Sequence, residues 1–208
     1  MIPYYIANSE NYITSIQYLP EGELPKGING IKKEDNIETL CLMDNNNLFN
    51  YKIINQEIIT VSQEEKNQLL EQQNIKQSQA LNNEKNAKIT FSKELLKNYL
   101  ELHPLISICH NNTKAIYSVT LEKQNLMLKE YYMHLIAKSL GQSHQLKWNS
   151  KGAEKEIWTE EEFIQLMLEV ENYVNPLVAL QQFYETQIKN CSTYEELNNI
   201  NIIYNITY

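Results

Sequence analysis

Residues 106–140 read ISICHNNTKAIYSVTLEKQNLMLKEYYMHLIAKSL, and the fold class turns on this stretch. Ile106 and Ile108 alternate with Ser107 and Cys109, and Tyr117 and Val119 alternate with Ser118 and Thr120. Each segment therefore carries one apolar face, as a short strand does. Asn111-Asn112-Thr113-Lys114 between them predicts a turn. The apolar period then lengthens: Leu121, Leu128, Tyr132, Leu135 and Leu140 recur at helical spacing. Thr120 is placed to cap that helix, and Gly141 to stop it at the C′ position. A hairpin running straight into an amphipathic helix points to an α+β fold.

Downstream, 145–158 predicts a second hairpin with its turn at Asn149-Ser150-Lys151-Gly152. Leu146 and Trp148 share one face, and Ile157-Trp158 return opposite them. Thr159 with Glu162 has the form of a capping box, in which hydroxyl and carboxylate satisfy each other's unpaired amides. The helix it opens carries Phe163, Leu166, Val170, Tyr173, Leu177, Leu180 and Tyr184 in steps of three and four. Pro176 removes an internal hydrogen bond and predicts a kink or a restart as two segments. Thr193 with Glu196 begins a short last helix before the apolar tail 200–208.

Upstream, 63–86 reads as a helix begun by Ser62 and Glu65 and polar nearly all round. Leu69, Leu70, Ile75, Ala80 and Leu81 form only a thin apolar stripe. Such a helix either connects two domains or pairs with copies of itself in a narrow seam. A further helix over 92–103 ends at Pro104. The first sixty residues are β-rich. Tyr4-Tyr5-Ile6 and residues 12–18 flank a turn at Asn8-Ser9-Glu10-Asn11, and a loop follows at Pro20, Gly22, Pro25, Gly27 and Gly30. Short strands over 39–43, 48–54 and 57–61 are separated by asparagine-rich turns at 44–47 and at Asn55-Gln56. The expected organisation is a small antiparallel β-sheet domain over 1–62 and an exposed connector helix over 63–87. A mainly helical domain with two short β-hairpins over 88–208 completes it.

The 208 residues can bury a real core. A net charge of −8 and the absence of any arginine argue against a nucleic-acid partner and against bidentate phosphate or carboxylate recognition. Cys41, Cys109 and Cys191 are far apart and odd in number, which favours a reducing compartment over a disulfide framework. The first twenty residues show no basic segment followed by an apolar one, and no run of about 18 apolar residues occurs. A chain made in a cytoplasm, without a membrane partner, is the expectation.

Candidate chemistry is sparse. Cys109 and His110 are adjacent, but on a strand neighbours point to opposite faces, so the thiol and the imidazole cannot serve each other. His103, His110, His134 and His144 lack the spacing of a zinc site, and no Cys-x2-Cys pair exists. Glu65, Glu160, Glu161, Glu162 and Glu196 occupy helix starts, where the dipole favours them. No Gly-rich phosphate loop appears, so no catalytic residue, metal or cofactor is assigned. Trp148 and Trp158 are candidate ligand or partner contacts if exposed, as a platform for sugar rings; otherwise they close the core between hairpin and helix.

The order of features over 106–204 resembles a family of bacteriophage and prophage proteins, the tail-fibre-associated domain of unknown function at the C-terminus of small tail proteins. The resemblance rests on the hairpin segment Ala115–Val119, the helix Leu121–Leu140 and the tryptophan hairpin Trp148–Trp158. The helix begun by Thr159-x-x-Glu162 and the motif Thr193-Tyr194-Glu195-Glu196-Leu197 complete it. The segment YKIINQEIITVSQEEKNQL (51–69) is similar to the strand-turn-strand-helix joint of many small phage tail and tail-fibre assembly proteins. The resemblance implies a non-enzymatic tail or tail-fibre component, or an assembly chaperone, with tail or tail-fibre proteins as partners. It places the protein in the host bacterial cytoplasm during assembly or in the virion tail. Homo-oligomerisation through 63–87 is the further expectation. A carbohydrate- or receptor-binding module, and a hydrolase using Cys109 or the histidines, are the alternatives.

Overall fold

The computed structural model describes residues 2–20, 28–32 and 41–205. Among them the element order is β1 (Ile2–Ala7), β2 (Ile13–Leu19), β3 (Gly30–Lys32), β4 (Tyr51–Ile54), β5 (Glu57–Thr60) and α1 (Gln63–Leu102). Then come β6 (Leu105–Ser107), β7 (Ala115–Tyr117), α2 (Leu121–Ser139), β8 (Leu146–Trp148), β9 (Glu156–Trp158), α3 (Glu160–Asn190) and α4 (Tyr194–Asn199). The fold is α+β, and its strands pair antiparallel. The chain divides into two compact units, Met1–Ala80 and Leu81–Tyr208.

In the first unit β1 lies between β2 and β3. The asparagine turn forms as its chemistry requires. Asn8 Oδ1 accepts from the amides of Glu10 and Tyr12, both at 3.0 Å, and Asn11 takes a left-handed φ of 68°. Tyr5, Ala7, Ile13 and Ile53 are buried together as the core. β3 is a strand that residue preferences do not reveal. It pairs with β1 because Gly30 has no side chain: a Cβ there would meet the Tyr5 carbonyl oxygen at 2.6 Å. β4 and β5 form a separate hairpin whose two-residue loop, Asn55-Gln56, has φ of 50° and 64°, the pattern of a type I′ turn.

The expected meander is therefore a three-stranded sheet and a separate hairpin, bridged at Tyr12 and Lys52. The strands expected over 48–54 and 57–61 shorten to β4 and β5. Of the strand expected over 39–43, Thr39 and Leu40 lie outside the described residues and Met43 makes an isolated bridge to Phe49. Gly22, Pro25 and Gly27 lie outside them too.

The start of α1 uses half of the expected box. Ser62 Oγ accepts from the Glu65 amide at 3.2 Å, but the Glu65 carboxylate turns to the Tyr12 hydroxyl (2.7 Å) and the Lys52 ammonium (2.5 Å). A real cation and a phenol outcompete the backbone amide for that carboxylate. Burial, reinforced by Glu65, pushes the Tyr12 phenol up to about 12. The helices expected over 63–86 and 92–103 are one 40-residue element. No glycine or proline interrupts 87–92. The two β-hydroxyls there fold back on the helix, Thr90 onto the Asn86 carbonyl and Ser92 onto the Ile89 carbonyl.

The second unit is built around α3. Thr159 and Glu162 make the complete capping box. Phe163, Leu166, Val170, Val174 and Leu177 form the buried stripe, with Val174 in the place expected for Tyr173. β8 and β9 supply Leu146, Trp148 and Trp158 to the same core, and Tyr117, Val119, Leu100 and Tyr204 complete it. Pro176 does not divide α3: it sits on an exposed turn, where the carbonyl it leaves unpaired can be solvated. At α4, Thr193 Oγ1 accepts from the Glu196 amide at 3.1 Å, while the Glu196 carboxylate takes the Ser192 amide, one residue outside the box. α2 ends in a Schellman motif at Gly141 (φ 67°), with Gln142 N–H donating to the Ala137 carbonyl at 2.8 Å.

α2 itself departs from the expectation. Leu121, Leu128, Tyr132, Leu135 and Leu140, the stripe expected to pack, are all exposed. The inward face carries Met127, which is buried, Tyr131 stacked on Phe163, and Glu130, which accepts the Lys147 amide of β8 at 3.1 Å. Among the described residues no helix is long and apolar enough to cross a membrane.

Candidate functional site

A polar constellation of the second unit lies where the β6–β7 turn, β9 and the start of α3 meet. Asn111 and Asn112 occupy left-handed conformations (φ 52° and 51°), which turns the chain sharply after His110. The imidazole of His110 is buried and lies flat on the Trp158 indole, with ring centroids 4.1 Å apart and planes 7° from parallel. Both ring nitrogens face carboxylates: Nδ1 is 3.1 Å from Glu162 Oε2, and Nε2 is 2.9 Å from Glu156 Oε2.

Glu162 does three things at once. Its carboxylate accepts the Thr159 amide of the capping box at 3.2 Å, the Asn111 amide at 3.0 Å and the His110 ring. The Asn111 amide foremost, then the Thr159 amide and His110, hold its carboxyl below the usual carboxylate range. Glu156 differs, with 64% of its side chain exposed. Beside this clamp is a recess of about 240 Å³ lined by His110, Tyr117, Trp148, Trp158, Glu154 and Glu156. Burial pushes the Tyr117 phenol up to about 12, so it stays protonated across the physiological range.

Cys109 is not on a strand. It and His110 both belong to the turn that follows β6, so the strand alternation that separated them in the sequence reading does not apply. The separation has another cause: both imidazole nitrogens are turned to glutamates. Burial also raises the Cys109 thiol above its usual value, opposite to what a thiolate nucleophile needs.

Trp148 and Trp158 are each only 5% exposed and meet Phe163 edge to face. The second face of Trp158 is covered by His110, so neither indole offers a sugar ring a platform. The Trp158 indole N–H is buried without a hydrogen-bond partner. Of the remaining histidines, His134 and His144 meet edge to face, with ring centroids 6.0 Å apart. His103 stacks on Tyr99, and His134 Nδ1 lies 3.1 Å from the His144 carbonyl. His134 Nε2 is 3.6 Å from Glu160, within ion-pair range but too far for a hydrogen bond. Among the described residues no cluster of three histidine, cysteine or acidic side chains could hold a metal ion.

No protein-family model, curated protein or solved structure matches this chain. The site is therefore read from its own geometry. A histidine held between two glutamates and stacked on an indole ties a hairpin turn to a helix start. In the sequence Glu162 is a cap and His110 a lone histidine, with nothing nearby to bring them together. The two are 52 positions apart, and no local signal carries that contact.

Proposed function

We propose that this protein is a non-enzymatic bacteriophage or prophage tail-associated protein, either a tail or tail-fibre component or a chaperone of tail-fibre assembly. The observation that carries the reading is the order of elements over 106–204. A short hairpin, a helix, a tryptophan hairpin, a helix begun by a threonine–glutamate box and a short final helix follow one another as in the resembling family. The carboxylate clamp supports it by giving His110 a fastening role rather than that of a base facing a nucleophile. A carbohydrate-binding module needs an exposed ring at Trp148 or Trp158, and the burial of both counts against it. A thiol hydrolase needs a base turned toward Cys109, and the geometry of His110 counts against that.

The test is physical association. A tagged chain expressed in the bacterial host during phage production is expected to co-sediment with tail particles or to co-purify with a fibre protein. A chain that joins neither overturns the reading.

A further inference from the structure

The His110 ring is approached by groups that ask opposite things of it. Nδ1 faces Glu162 Oε2 at 3.1 Å, and a carboxylate oxygen can only accept. Nδ1 therefore keeps its hydrogen whatever the charge of the ring. Nε2 is contested. Glu156 Oε2 lies 2.9 Å away and requires an N–H there. The Asn111 side-chain nitrogen lies 3.1 Å away and offers its own hydrogen to a bare ring nitrogen. A neutral imidazole with its hydrogen on Nδ1 satisfies Asn111 and turns a lone pair on Glu156. An imidazolium satisfies both carboxylates and leaves the Asn111 amide without its acceptor.

We propose that His110 is a proton-operated catch on the β8–β9 hairpin. With a second proton, on Nε2, the ring fastens Glu156 of β9 to the start of α3. Without it Nε2 takes the Asn111 amide, and Glu156 is released from the rim of the adjacent recess. Three observations fix which partner leaves. Glu162 stays, because the Asn111 and Thr159 backbone amides hold it independently of the ring. Glu156 is 64% exposed, and its carboxylate makes no other hydrogen bond among the described residues, so water readily replaces the imidazole. The ring itself is held by its stack on Trp158, so the proton changes its partner and not its place. The other titratable groups around the ring come from every element that packs there. Burial raises Tyr117 of β7 and Cys109 of the turn, and both stay protonated across the range in which histidine changes its charge. Glu154 lines the same recess, and Glu169 of α3 acts on Tyr117 and Cys109. Among the described residues no lysine pairs with Glu154, Glu156, Glu162 or Glu169, which leaves the imidazole as the cation these carboxylates share.

Nitrogen-15 resonances of the imidazole, followed in the full chain from about pH 5 to about pH 8, test the catch. The signal lost in His110→Gln assigns them. Nε2 is expected to carry the titrating proton while Nδ1 stays protonated throughout. Glu156→Gln should move the His110 midpoint down by roughly 0.3 pH unit. Asn111→Gly suits the left-handed φ of 52° and keeps the backbone amide, and it should move the midpoint up by about as much. Hydrogen exchange of the 146–158 hairpin, corrected for its intrinsic pH dependence, should be slower on the acid side in the wild type. Glu156→Gln, at an exposed position, should abolish that difference, and it keeps the test open if Asn111→Gly loosens the turn. Titration at Nδ1, a midpoint that ignores Glu156→Gln, or a hairpin whose exchange ignores the proton overturns the proposal.

Discussion

Glu162 shows how one side chain can close a helix and anchor a tertiary contact together. Its carboxylate satisfies two backbone amides and faces an imidazole, each a charge-assisted interaction. Glu162→Ala leaves the Asn111 and Thr159 amides short of a partner and is expected to cost about 1–3 kcal/mol. Glu156→Ala, at the exposed end of the same clamp, should cost less than about 0.5 kcal/mol. The urea midpoint of each variant measures the difference, and equal midpoints would remove Glu162 from its central place. Glu185 makes a pH-dependent counterpart. The Gln181 amide first, then the Lys93 ammonium and Lys189, hold its carboxyl at about 2, against an ordinary value of 4.5. The folded value is the lower one, so the stabilisation is complete above pH 4.5 and is lost as pH falls toward 2. Glu185→Gln should flatten the fall in stability over that window in an acid titration; an unchanged slope would assign the fall to other carboxylates.

At the scale of elements, α1 is the test of whether a polar stretch is a connector or a helix interior. Ala87 lies in the interior of the unbroken helix and is exposed. Ala87→Gly is therefore expected to cost about 1 kcal/mol, the intrinsic penalty of glycine in a helix. In a flexible joint the same change costs almost nothing, so the unfolding midpoint separates the two. The hydroxyls of Thr90 and Ser92 explain why the boundary looked real: serine and threonine read as helix starts, yet here they bond backward to carbonyls of their own helix. α2 gives the complementary lesson. Its apolar spacing correctly predicts a helix but not which face turns inward, and Met127, Tyr131 and Glu130 decide that through β8 and α3.

For the whole molecule, the first unit holds one core, and the second holds the main core around α3 with a smaller cluster of Ile188, Cys191 and Leu197, a division that implies two unfolding units. Both tryptophans belong to the main core of the second unit, and the core of the first contains none. Tryptophan emission is thus expected to be blue-shifted and little quenched by acrylamide in the native protein. It should report the melting of Leu81–Tyr208 alone, while far-ultraviolet dichroism records both units. A red-shifted, readily quenched native emission would contradict the burial of Trp148 and Trp158.

Local chemistry alone determined the α+β class, both hairpins after α1, the Thr159 box, the Gly141 stop and the asparagine turns, because each depends on residues within a few positions of one another. Turn propensity, capping and periodicity act over that range and leave their mark in the chain. Tertiary structure decided the rest. It paired β3 with β1 through the space left by Gly30, drew the Glu65 carboxylate away from its cap toward Lys52, and joined His110 to Glu162 and Trp158. It also turned the expected packing stripe of α2 outward. Each of these outcomes is a competition among distant groups for one carboxylate, one ring face or one buried surface, and only the assembled chain brings the competitors together.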